Sequence, residues 1–430
     1  MTKAGGLVNG PTRHLMNSAL LLLLCTLVFA TSTWAEGLDG KIMCGYQGWF
    51  RTPDDGTNTG WHHYGGRNFG PGACSIDLWP DVREIPAADR TPTPFKFADG
   101  TPADVYSSVK PSVINLHHQW MKEYGIDGVF LQRFVVSTKD PRHAKAQDLV
   151  LETTRTAARD HGREWVLMYD LSGIKPGETQ LLINDWKRLV DICHFADAKE
   201  NPAYLRHRGK PLVALWGLGF SDRAPMLDEW KQLIEFFKND PRYGNVSLML
   251  GVPAYWRTLT RDSIADPELH NLIAKADVVS PWTIGRYNNP KNAASHFEKT
   301  ASGDVAWCKE RNLDYLPVAF PGFSWHNLQK GRGKEAPVNA IPRLGGEFIW
   351  SQFAQTKKLG LRMQYVAMFD ELDEGTAIFK TRQDPPVGES PFATEPGVAE
   401  DHYLWLTGQA GKMLRGELPG DGTAMPVRAK

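Results

Sequence analysis

Short apolar runs recur along the chain, spaced so that a helix fits between each pair. In order they are KIMCGY (residues 41–46), GIDGVFLQRF (125–134), WVLMYD (165–170), PLVALW (211–216), SLMLGV (247–252), ADVVSPW (276–282), YLPVAF (315–320) and YVAMFD (365–370). Each is nearly continuous in apolar, often β-branched residues and ends in polar or aromatic ones, as strands buried on both faces do. Helical periodicity fills the intervals. The clearest case is residues 224–240, where Leu227, Trp230, Ile234 and Phe237 make one apolar face. Asp222 stands where it can cap that helix, and Pro225 suits a first turn. Similar patterns cover residues 112–124, 143–161, 179–195, 293–311 and 346–359, with a short one at 267–275 and a last one at 403–414.

Eight strands alternating with helices predict a parallel sheet, and eight units over this length predict an α/β fold, a (β/α)8 TIM barrel with a long first βα loop. The barrel is read over residues 36–418, with 419–430 as a tail. A doubly wound open sheet is the competing topology, but no G-x-G-x-x-G follows the first strand. Before the barrel, Lys3 and Arg13 precede ALLLLLCTLVFA (residues 19–30) and then small residues up to Ala35. A run of that length is short for a membrane span of roughly 20 residues, and the pattern reads as a signal peptide cleaved near Ala35. The expected location is secreted or periplasmic, with no membrane attachment after cleavage. Of the cysteines that remain, Cys193 and Cys308 fall in predicted helices, while Cys44 and Cys74 flank a long loop and could pair.

Composition narrows the function classes. Lys+Arg and Asp+Glu both number 49, so the basic surplus of a nucleic-acid binder is missing and no nucleic-acid partner is expected. Trp, at 15, is abundant, and its positions matter more than its number. Active sites of such barrels lie at the C-terminal ends of the strands. Residues there are Tyr46 and Trp49 (with His63 in the loop that follows), Arg133, Tyr169 and Asp170, Trp216, Tyr255 and Trp256, Trp282, Trp325 and His326, and finally Asp370, Glu371 and Glu374. Aromatic planes stack on the apolar faces of sugar rings, and carboxylates bind or cleave them. A carbohydrate is therefore the expected partner. Some of these Trp residues are expected in the core.

The acids sit in FDELDEGTAIF, Phe369 to Phe379. Glycoside cleavage uses two carboxyl groups flanking the scissile bond, and proximity drives their pKa values apart. Glu371 and Glu374 are three residues apart, which in a helical turn puts them on one face, and Gly375 permits a sharp turn. A solvated helix face carries E-x-x-E often, but has no reason to follow an apolar barrel strand.

Two regions resemble the glycoside hydrolase 71/99-like group, most nearly the endo-α-mannosidase family 99. One is CGYQGWF with GWHHY (44–50 and 60–64), similar to that family's Tyr-x-x-Trp and Trp-x-His-aromatic elements. The other runs from PGFSWHN (321–327) through GGEFIW (345–350) to FDELDEGTAI. Family members show Phe-Asn-Glu-Trp-His-Glu-Gly-Thr there, matched here at Glu371, Glu374, Gly375 and Thr376. The resemblance implies a retaining hydrolase of α-linked glycans that needs no metal or other cofactor. It implies that Glu371 acts as base on the sugar's own 2-hydroxyl, giving a 1,2-anhydro intermediate, and that Glu374 is the acid/base. The departures are Asp370 for Asn, Leu372 for Trp and Asp373 for His. An added negative charge raises neighbouring carboxyl pKa values unless a cation such as Arg133 or an imidazole such as His63 compensates. At Asp370 and Asp373 the substrate is expected to differ.

Two other classes compete. A non-catalytic glycan-binding protein on a hydrolase barrel would keep the aromatic rim, but a decayed enzyme usually loses a carboxylate and both Glu residues are present. A metal-dependent hydrolase would use His62, His63 and Asp77, which form no strong ligand motif. His117 and His118 fall on a predicted helix as surface or packing residues.

Overall fold

All eight apolar runs form parallel strands, and the ring they make is closed by a broken seventh strand. The computed structural model describes residues 5–7, 37–195, 197–419, 421 and 423–428; the signal segment read over 1–35 lies outside them apart from residues 5–7. The strands are β1 (Ile42–Tyr46), β2 (Gly128–Phe134), β3 (Glu164–Asp170), β4 (Lys210–Trp216), β5 (Ser247–Pro253), β6 (Val278–Trp282), β7 in two pieces (Asp314–Tyr315 and Val318–Ala319) and β8 (Gln364–Val366). Neighbours pair in chain order from β1 to β6. The first piece of β7 pairs with β6 and the second with β8, which pairs with β1. Pro317, which has no N–H for the ladder, sits at the break. The result is a (β/α)8 barrel.

The helices are α1 (Pro111–Tyr124), α2 (Pro141–His161), α3 (Thr179–Cys193), α4 (Leu227–Asn239), α5 (Glu268–Ile273), α6 (Pro290–His296), α7 (Ser302–Glu310), α8 (His326–Gly331), α9 (Glu347–Lys358) and α10 (His402–Arg415). Local chemistry sets their ends. Asp140 caps α2 by accepting from Arg142 N at 2.9 Å, Pro141 occupies its first turn, and Gly162 ends it in the left-handed region. The start expected for α4 is corrected. Asp222 pairs with the Arg223 side chain at 2.8 Å instead of capping, and the helix begins only at Leu227, leaving Pro225 in the loop. The single helix expected over 293–311 is two, joined by a π turn at Phe297–Ala301. No helix among the described residues is long and apolar enough to cross a membrane. The segment read as a tail folds back: Trp350 Nε1 donates to Thr423 O at 2.9 Å and Arg428 pairs with Asp401.

Strand alternation decides which strand-end residues reach the barrel mouth. Gly45, Phe130, Gln132 and Tyr365 face inward; a Cβ on Gly45 would meet the Tyr365 hydroxyl and the Met368 methyl, so only glycine fits. The neighbours of these residues must face the helices, and this corrects three expected sugar contacts. Tyr46 is fully buried with its hydroxyl 2.8 Å from His117 Nδ1 on α1. Arg133 grips Asp185 of α3 through Nε and Nη2 at 2.6 and 2.8 Å, and Tyr169 donates to the same carboxylate at 2.8 Å. His117 and His118 are likewise buried packing residues. The pairing considered for Cys44 and Cys74 is also corrected: all four described cysteines are free and buried, Cys44 in β1 and Cys74 donating its thiol to Ile76 O.

Leaving a buried guanidinium without any partner costs about 3–5 kcal/mol. Arg133 also pairs with the more exposed Asp148 at 2.9 Å, so Asp185→Ala is expected to lower unfolding free energy by more than about 1 kcal/mol and less than that full amount in urea titrations. A loss below about 1 kcal/mol would mean the pair is worth no more than a surface ion pair.

Candidate active site

Residues 369–379 leave β8 and return to it as a closed loop. Phe379 N donates to Phe369 O, and Phe369 N to Gly45 O, so the loop's base is continuous with β1. Residues 372–375 form a turn and not the helical turn expected. Three other segments fasten it. Asp77 N donates to Leu372 O at 2.9 Å, Ser324 N to Glu374 O at 2.9 Å, and the Arg343 guanidinium to Gly375 O and Ala377 O. Gly375 has φ 62°, and a Cβ there would lie 2.8–2.9 Å from Ser324 atoms, so glycine is required on both counts.

Each of the four acids has its own surroundings. Asp370 is fully buried and accepts from Gln47 N and Gly48 N, both at 2.8 Å. It therefore fastens β1 to β8 and is not the sugar contact expected. Glu371 accepts from Thr376 Oγ1 at 2.6 Å and from Gln47 Nε2 at 3.1 Å. Asp373 lies 2.8 Å from His63 Nδ1. Glu374 is half-buried, and its carboxyl makes no hydrogen bond among the described residues.

Burial, with the neighbouring charges of Glu374 and Asp373, raises Glu371 well above the ordinary range, and the Thr376 hydroxyl opposes the shift. Burial and Asp373 push Glu374 up to about 7. Burial pushes Asp370 and Asp373 each to about 7 as well. His63 is pushed down to about 3 by burial first and then by positive neighbours, so it meets Asp373 as a neutral ring. Neither expected compensator supplies charge to the turn: Arg133 is bound to Asp185 and His63 arrives as a neutral ring, while Arg332 is the cation that lowers Asp373 and Glu374.

His63 also belongs to an aromatic column. Its ring lies parallel to Trp49 at 3.7 Å, and Trp49 in turn stacks on Phe134 at 5.2 Å. Both indole faces are covered, which corrects the expectation that Trp49 is a sugar platform. Trp256 is fully buried against Trp307 at 4.8 Å, on the helix side of the barrel, and is corrected too. Trp216 and Trp282 are half-buried and meet edge to face at 5.4 Å on the inward side of β4 and β6. Asp170 is level with Trp216 and Phe134, and burial pushes it up to about 6. Trp325 is half-buried beside Phe323, and His326 Nδ1 donates to Ala336 O at 2.6 Å, fastening the loop after β7. Asp77 accepts from Ser324, His326 N and Asn327 N, so it anchors the start of α8.

Apart from the motif match, nothing local in the sequence marks Gln47 or Arg51 as a site residue, and Thr376 stands out there only within that match. Gln47 lies inside the quoted CGYQGWF motif, directly after a strand, which was the available signal. It also lines a cavity of about 360 Å³ beside the acid turn, with Trp49, Arg51, His63 and Phe134. A larger groove, about 680 Å³, lies between α2 and α3 outside the barrel; none of the four acids lines either space, and the smaller one meets them through Gln47 and His63.

Solved structures share this fold. Two structures of the GH99 endo-α-mannosidase from Bacteroides thetaiotaomicron superpose with TM-scores of 0.58 and 0.59, at 17% and 15% identity, covering 88% of this chain and 99% of theirs. A glycoside hydrolase-like protein superposes with a TM-score of 0.52 at 12% identity, covering 88% of this chain and 95% of its own. No family model and no curated protein sequence matches.

The raised acids make stability depend on pH. The folded state holds protons that the unfolded chain releases near about pH 4. Stability from this cluster is therefore highest below that range and falls as pH climbs towards about 7. Glu371→Gln and Asp373→Asn are each expected to narrow the fall in Tm between about pH 5 and about pH 7.5. A wild-type Tm flat across that window, or an unchanged fall in both variants, would contradict it.

Proposed function

We propose that the chain is an exported, retaining glycoside hydrolase of α-linked glycans, with Glu371 as base and Glu374 as acid/base. The observation that carries this is the unequal bonding of two neighbouring carboxyls. Glu371 is held by two donors, which fix its direction and offset part of the rise imposed by burial and its acidic neighbours. Glu374 is open, unbonded and poised at about 7, where a proton can be given and taken back. The shared fold of the GH99 structures supports the reading, as does the match of both Glu residues to that family's motif.

In the first step Glu371 takes the proton of the sugar's 2-hydroxyl, and that oxygen attacks C1. The glycosidic C1–O bond breaks as Glu374 protonates the leaving oxygen, which yields a 1,2-anhydro sugar. In the second step Glu374, now a carboxylate, takes a proton from water. The water oxygen attacks C1, the three-membered ring opens, and Glu371 returns its proton to O2. Two inversions at C1 give net retention. Cleavage near Ala35 would deliver the enzyme outside the cytoplasm.

A panel of α-linked oligosaccharides with product analysis tests this. Glu374→Gln and Glu371→Gln are each expected to lose about 10²–10⁴-fold in turnover. The first anomer released should be α, and a 2-deoxy substrate should not react. An α-glycan turned over equally by Glu374→Gln would overturn the assignment, and binding without turnover in the wild type would make the chain a glycan-binding protein. N-terminal sequencing of exported protein should begin near Glu36.

A further inference from the structure

The cavity beside the acid turn contains a buried charge without a counter-ion. Arg51 is 3% exposed, and its Nη1 donates to Gly48 O at 2.6 Å and Phe50 O at 3.1 Å. Its Nε has no hydrogen-bond partner, and the guanidinium forms no ion pair among the described residues. The two acids that influence it are committed elsewhere. Asp55 accepts from Thr52 N, Thr57 and Ser107, and Asp370 accepts from the backbone of Gln47 and Gly48. Buried charges in proteins are paired, because an unpaired one costs several kcal/mol.

The surroundings of Arg51 add donors and no anion. His62 lies between His63 and His143, with ring centroids 4.5 and 4.6 Å away. The rings of His62 and His143 make no hydrogen bond among the described residues. Trp49 Nε1, also on this wall, is buried and without a partner. The volume, about 360 Å³, is in the range of small-molecule sites. Gln47 lines the cavity and also holds Glu371, so one side chain separates an occupant from the proposed base. Across the turn, at the end of α8 and just beyond it, Lys330, Arg332 and Lys334 are exposed and form no ion pair among the described residues.

We propose that this cavity binds an anionic substituent, a carboxylate or a sulfate ester, on the sugar beside the bond to be cleaved, so that the substrate is an acidic glycan. The inference rests on the glycan-hydrolase reading for its position but not for its charge. A neutral hydroxyl would satisfy one donor, at about 1 kcal/mol, and leave the guanidinium uncompensated; an anion satisfies the donors and the charge together.

The test follows ¹⁵N–¹H signals of arginine Nε–H and histidine rings in the wild-type chain during titration. The probes are glucuronic acid, galacturonic acid, glucose 6-sulfate and glucose. A charged sugar should shift the Arg51 and His143 signals saturably where glucose does not. Uronates acting alone identify a carboxylate, and the sulfated sugar acting alone identifies a sulfate ester. Arg51→Met should weaken charged-sugar binding at least about tenfold. Should that variant fail to fold, His143→Leu, a half-buried position on α2, should weaken charged sugars several-fold and leave glucose unaffected. Glucose shifting these signals as well as the charged sugars do, no response to any charged sugar, or unchanged charged-sugar binding in the variants would overturn the proposal. Binding is read without turnover, so the outcome is separate from that of the Glu371 and Glu374 variants. A neutral α-glycan cleaved as fast as its acidic counterpart would overturn this inference and leave the hydrolase reading intact.

Discussion

The site depends on one buried carboxylate. Asp370 sits where β8 ends, and its two oxygens accept the N–H groups of Gln47 and Gly48, where β1 ends. A buried carboxylate is tolerable only with such donors, and two backbone groups 2.8 Å away fix its direction. The contact sets the start of the first loop against the start of the acid turn. From it follow the reach of the Gln47 amide to Glu371, the left-handed turn at Gly48 with φ 57°, and the carbonyls that Arg51 grips. Asp370 is thus a positioning residue: it acts through the loop it holds.

Four acids within five residues would repel one another if all were ionised and equally exposed. The turn resolves this by giving each a different environment. Asp370 takes backbone donors, Glu371 an amide and a hydroxyl, Asp373 a neutral imidazole, and Glu374 none among the described residues. Burial still outweighs these donors, so the cluster holds protons at neutral pH and lowers the stability of the fold there. Such local cost is common where chemistry needs a proton in a dry place. The outward fastenings by Asp77, Ser324 and Arg343 show how the cost is carried: the turn is braced from three segments far apart in sequence.

Most of the barrel was legible because strands buried on both faces are apolar throughout, and the eight runs stand out in a chain with 23% charged residues. The same feature hid the alternation. When both faces are apolar, the residue at a strand's end does not announce which way it points, and so Tyr46, Arg133 and Tyr169 were grouped with Asp170, Trp216 and Trp282. Register separates them: Phe134, Asp170 and Trp216 are level and inward, and Arg133 and Tyr169 are level and outward. Trp49 shows a different limit. The rings of His63 and Phe134 that stack on it lie 14 and 85 residues away in sequence, beyond any local pattern. Gln47 and Thr376, whose roles are to direct a carboxylate, carry no charge or aromatic ring to mark them.

Two of the three departures from the motif, Asp370 and Asp373, have different weights. Asp370 in place of Asn puts two acceptor oxygens against two backbone donors, where an amide would face one of them with its own N–H. That substitution is explained by the join between β1 and β8 and says little about the sugar. Asp373 in place of His is different, because an imidazole is still present at the turn: His63 reaches in from the first loop and meets the carboxylate at 2.8 Å. His63 stacks on Trp49 and lines the adjoining cavity with Arg51. Asp373 thereby links the acid turn to the wall of the adjoining cavity through His63.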